Sequence, residues 1–125
     1  MQITTFNPMI LTPNADELVK LFEELDFEKR HEADDIDNRG ITDIRMKDAN
    51  DFYVDIAQTH TQRDMTTMRM NVSDFEEAYD FLKARGFINA NGEDRVVESA
   101  YAKSCLMISP SGFSIQLTQH IKDHE

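Results

Sequence analysis

At 125 residues the chain has the length of one domain, and folding should bury somewhat under about 70% of the surface the unfolded chain exposes. Its 13 Lys and Arg stand against 24 Asp and Glu, a net charge of −11. That balance opposes nucleic acid and anionic membrane, and suits a solubilising face or, more weakly, a cationic ligand. No stretch of 18 apolar residues occurs and Met1–Thr4 lacks the basic start of a signal peptide, so a cytoplasmic protein without membrane or nucleic-acid partners is expected. Cys105, the lone cysteine, has no partner for an internal disulfide and reads as a small buried apolar residue.

In chain order, "ITTFNPMILT" (Ile3 to Thr12) alternates as a half-buried strand does. From Ala15 the apolar residues Ala15, Leu18, Val19, Phe22 and Leu25 fall on one helical stripe, with Asn14 as cap and Glu17 three residues on. Strand candidates follow at "EKRHEA", "GITDIRMK" and "DFYVDIAQ". After a polar connection, "TTMRMNVS" (Thr66 to Ser73) is a second extended segment. Asp74 then caps a second stripe, Phe75, Ala78, Tyr79 and Leu82, which Gly86 stops. Strand candidates again follow: "RVVES", "AKSCLMIS" and "FSIQLTQ".

The order strand, helix, strand, strand, strand thus occurs twice with a shift of about sixty residues. It is clearest where "DANDFYVDIAQTH" is echoed by "SPSGFSIQLTQH". Module one spans residues 1–62 and module two 63–121, with a charged tail at 122–125. Units of this size are marginal alone, so one domain over residues 1–125 is expected.

The doubled order, the segment "NVSDFEEAYDFLKARGF" and the closing "SPSGFSIQL" together resemble the vicinal oxygen chelate superfamily of glyoxalase I, bleomycin-resistance proteins and extradiol dioxygenases. The resemblance covers nearly the whole chain. It implies an α+β fold in which two βαβββ modules form a curled mixed sheet, a cup, with helices on the convex side. It also implies a homodimer, and a metal held at positions that align here with Asn7, Asp55, Thr67 and Gln116.

Alternation sorts the strand faces. Tyr53, Asp55 and Ala57 are expected in the cup, with Phe52, Val54 and Ile56 toward the helices. Ser114, Gln116 and Thr118 are likewise set against Phe113, Ile115 and Leu117. Asn7, Met9 and Leu11 join the cup from the first strand, and Thr67, Arg69 and Asn71 from its repeat. Asp43, Arg45, Cys105 and Met107 complete the expected lining. At the family's metal positions the chain offers one carboxylate, two amides and a hydroxyl, too little negative charge for a transition metal, so no metal cofactor is expected. His60 and His120 read as solvated strand ends.

What the lining suits is a small organic molecule. Arg45 or Arg69 would clamp an anionic group and Asp55 would serve as a base if desolvated; the plainer alternative is that these charges pair across the sheet. The function expected is metal-free binding of a small molecule, in the manner of the bleomycin-resistance branch, with sequestration of a toxic compound as its concrete form. The alternative is a metal-dependent lyase, isomerase or dioxygenase resembling glyoxalase I.

Overall fold

The structure, a computed structural model, describes residues 1–33, 42–99 and 102–121; the charged tail expected at 122–125 lies outside them. Two compact units result, one of Asn7–Thr67 and the other of Met68–Glu125 with Met1–Phe6. The fold is α+β, with the βαβββ order present twice.

In the first module, strand β1 (Ile3–Thr12) leads into helix α1 (Ala15–Glu24), then β2 (Glu28–Ala33), β3 (Thr42–Lys47) and β4 (Tyr53–Gln58). The strand order is β2-β3-β4-β1. β2, β3 and β4 run antiparallel, and β1 returns parallel to β4 with Met9 opposite Asp55 and Leu11 opposite Ala57. The stripe of α1 explains its seat: Ala15 and Val19 bury against Ile44, Met46, Val54 and Ile56, with Ile10, Leu18, Phe22 and Phe27 closing the edge.

In the second module, β5 (Met65–Val72) leads into α2 (Phe75–Lys83), and the strand expected after the helix is split into β6 (Ile88–Asn89) and β7 (Val97–Glu98). Both pieces pair antiparallel with β8 (Ala102–Ile108), which pairs with β9 (Ser114–His120). β9 lies parallel to β5. Phe75, Ala78, Tyr79 and Leu82 of α2 bury against Met70, Val72, Cys105, Met107, Ile115 and Leu117.

The helix starts show what the echoed Gln residues do. The Asp74 carboxylate accepts from the Glu77 N–H at 3.0 Å, as its position predicts. Asn14 makes no side-chain cap bond. Instead, Gln58 Oε1 at the end of β4 accepts from the Ala15 N–H at 2.8 Å, and Gln119 Oε1 of β9 accepts from the Phe75 N–H at 2.6 Å. The last strand of each module thus satisfies a donor that its helix leaves without an intrahelical partner. These two glutamines are the structural equivalents. The same shift of 61 makes Ile121, not His120, the counterpart of His60 in the repeat, and both histidines are exposed.

Two expectations about faces are corrected. Phe52 and Phe113, assigned to the helix side, stand just before β4 and β9 and are 64% and 52% exposed. Phe113 makes a T-shaped contact with Phe87, ring centroids 6.5 Å apart. Cys105 and Met107, assigned to the cup, are 2% and 0% exposed in the α2 core. Register requires this: Cys105 is opposite Leu117 and Met107 opposite Ile115, and antiparallel partners share a face. Ser104 and Leu106, opposite Thr118 and Gln116, take the other face.

Candidate functional site

With the helix-side residues assigned, the opposite face of each unit follows from pairing. In the first unit it carries Asp43 opposite Ala57, Arg45 opposite Asp55 and Lys47 opposite Tyr53. Met9 and Leu11 join from β1 beside Asp55 and Ala57, and Asn7 precedes them in phase. Lys47 was not among the expected lining residues, but its alternation with Arg45 and its pairing with Tyr53 put it on this face.

Asp55 is the centre of this face. It is 0% exposed, and its Oδ1 accepts from Asn7 Nδ2 at 2.9 Å and from Arg45 Nη1 at 3.3 Å. A carboxylate out of water requires such donors, because an uncompensated buried charge is costly. Asn7, 5% exposed, also donates to the Pro8 carbonyl at 2.8 Å. Both amide N–H groups are therefore engaged, and its buried Oδ1 accepts no hydrogen bond among the described residues. Arg45 lies over the Tyr53 ring with Cζ 4.3 Å from the centroid, and Lys47 Nζ is 5.7 Å from the same centroid. Lys47 also bridges Asp51 at 2.8 Å. Asp43 and Met9 are buried at 9% and 7% exposure, while Tyr53 and Arg45 are half-buried.

In the second unit, Arg69 is opposite Gln116 and Asn71 opposite Thr118. Arg69 Nε donates to Asn71 Oδ1 at 3.2 Å. Asn71 is buried, and Arg69 and Gln116 are half-buried. Thr67, 4% exposed, precedes Arg69 in phase on β5. Cys105, on the helix side, is chemically quiet: burial pushes its thiol up to about 12, so it is not a thiolate at neutral pH.

The resemblance aligns Asn7, Asp55, Thr67 and Gln116 with the family's metal positions. Asp55 supplies the single carboxylate among them, and a guanidinium and an amide N–H already point at its oxygen. A dication at Asp55 would meet the positive Arg45. Among the described residues, no three His, Cys, Asp or Glu side chains group as metal ligands.

No protein-family model matches the chain, and no curated protein matches it. Solved structures do. A methylmalonyl-CoA epimerase is 20% identical with a TM-score of 0.68, over 93% of this chain and 94% of that one. A glyoxalase/bleomycin resistance protein/dioxygenase superfamily member from Vibrio splendidus is 14% identical with a TM-score of 0.61, over 96% of this chain and all of that one, 100%. A glyoxalase I mutant from Zea mays is 14% identical with a TM-score of 0.67; 98% of this chain covers 45% of that one. At such identities the likeness is one of fold.

Proposed function

We propose that this chain, whose fold is that of the vicinal oxygen chelate superfamily, is a small-molecule-binding protein that works without a metal and sequesters a toxic organic compound. The observation that carries the reading is the state of Asp55: the acid at a family metal position is fully buried and neutralised by Arg45 at 3.3 Å. A guanidinium holds the charge that a metal would otherwise hold. In this reading Asp55 anchors Arg45 rather than serving as a base, and the half-buried Tyr53 and Leu11 supply surface for an organic ligand.

We further propose a cytoplasmic homodimer. No helix among the described residues is long and apolar enough to cross a membrane. Phe52 and Phe113, exposed beside their strands, offer apolar surface to a second copy.

The test is elemental analysis of protein purified without chelator, combined with melting curves over a broad compound panel. Substoichiometric metal with at least one compound that raises the melting temperature is expected. A stoichiometric transition metal would overturn the metal-free reading and favour a glyoxalase-like lyase or isomerase. A flat response to every compound would overturn binding itself. Turnover of a bound compound that Asp55→Asn abolishes without loss of binding would replace sequestration with metal-independent catalysis.

A further inference from the structure

We infer that the outer end of the β3–β4 face is a subsite for an anionic group of the bound molecule, a carboxylate or phosphate held by Arg45, Lys47 and the Tyr53 hydroxyl. The inference rests on the binding reading above and adds the chemistry of what is bound.

Register brings the three residues together. Lys47 is opposite Tyr53 and Arg45 opposite Asp55, while Met46 and Val54 between them are buried on the helix side. The Tyr53 ring supports the guanidinium at 4.3 Å, and Asp55 takes one of its nitrogens at 3.3 Å. A guanidinium has five N–H donors in a rigid fork. Neutralising Asp55 alone would favour a two-pronged grip, but a single Nη1 contact is made and no described residue takes the remaining donors. No described residue bonds the Tyr53 hydroxyl either. The Arg45 and Lys47 side chains are 21% and 25% exposed, so a solute reaches them. Donors already held in place lose little freedom on binding, which favours a planar or tetrahedral oxyanion.

The acids around this end do not cancel it. Asp43 lies on the other side of Arg45, opposite Ala57 and away from Lys47. Asp51 pairs with Lys47 but is 75% exposed, a contact that an incoming anion displaces at little cost. Glu28, opposite Lys47 in β2, is 81% exposed and 4.0 Å from Arg30. The net charge of −11 favours cations at long range, yet charges beyond about 8 Å are largely screened at physiological salt. The donors within reach decide the specificity.

The experiment uses matched probes on the full chain: 2-naphthoate against its methyl ester, and phenyl phosphate against phenol. Backbone amide and arginine Nε resonances are followed by NMR in wild type, Arg45→Lys, Lys47→Gln and Tyr53→Phe. The anions should shift β3–β4 amides and the Arg45 Nε–H, and the neutral partners should bind about tenfold more weakly or worse. Each variant should reduce that preference; Lys47→Gln and Tyr53→Phe change half-exposed groups, so the test stands even if Arg45→Lys disturbs the fold. Equal binding of anion and neutral partner, or shifts confined to other arginines, would overturn the subsite while leaving the binding reading intact. Failure of every probe and every panel compound would overturn both.

Discussion

The paired glutamines make a prediction that separates two sites of similar appearance. Gln119 accepts from the Phe75 N–H and Phe75 is 0% exposed, so Gln119→Ala leaves a buried donor without an acceptor, at a cost of about 1–2 kcal/mol. Gln58 accepts from the Ala15 N–H and also donates to the carbonyls of Pro13 at 2.8 Å and Thr59 at 3.3 Å. Gln58→Ala therefore strands both a donor and an acceptor, and about 2–3 kcal/mol is expected. Substitution by Glu splits the pair further. At position 119 the carboxylate keeps the acceptor and meets a helix N-terminus that favours negative charge, so Gln119→Glu should be neutral or stabilising by up to about 1 kcal/mol at pH 7. At position 58 the carboxylate faces the Pro13 carbonyl, and Gln58→Glu should destabilise about as much as Gln58→Ala. Urea unfolding followed by circular dichroism reads these differences directly: with a slope of about 1–3 kcal/mol per molar, the destabilised variants move the midpoint by roughly 0.3–3 M. The new carboxylate at 119 would have a depressed folded pKa. Its benefit would be present above the unfolded carboxyl value and disappear as pH falls through the folded one. Equal effects of Glu at the two positions, or a stabilising Gln58→Glu, would refute the assignment of the hydrogen bonds.

Gly86 closes α2 at φ +92°, and a Cβ there would lie 2.9 Å from Pro110 Cγ. Gly86→Ala should cost about 1–2 kcal/mol for the backbone and more for the clash; Pro110→Ala in the same chain should recover only the clash, as a double-mutant cycle of melting midpoints would reveal. The Cys105 thiol, at about 12, should resist iodoacetamide at pH 8 in the folded protein and react once urea unfolds it; rapid native labelling would contradict its burial. The Lys83 ammonium hydrogen-bonds Glu93 at 2.8 Å and holds that carboxyl below its ordinary value. The small stability from this exposed pair is present above the unfolded carboxyl value and lost as pH falls through the folded one, and carbon-detected titration should place Glu93 higher in Lys83→Met.

How much of this was legible in the sequence depends on how unambiguous each pattern is. The two helices were, because their stripes and acidic first turns point to one face. β4 was also, since Tyr53, Asp55 and Ala57 alternate cleanly with Val54 and Ile56. β8 was not: "SCLMI" is apolar on both parities, so Cys105 and Met107 were given the wrong phase, and only their pairing with Leu117 and Ile115 fixes it. The exposed Phe52 and Phe113 misled for a related reason, because composition marks a residue as apolar without saying whether a helix extends over it. The glutamine caps left no local signal, since donor and acceptor are 43 and 44 residues apart. At the candidate site, residue types were readable, but Arg45's single grip on Asp55 and its stacking on Tyr53 are matters of side-chain geometry.

The parallel pairing of each module's first and last strands bears on how the chain is made. Met9 waits for Asp55 and Met68 for Ile115, so on a ribosome the opening strand of each module emerges with its apolar side unsheltered while the helix and middle hairpin assemble. Distant partners close slowly because loop closure precedes the reward of contact. Over that interval β1, with Ile3 and Phe6, is the stretch most open to capture by chaperones or by another nascent copy, and synthesis speed through residues 13–55 would tune the yield of folded protein.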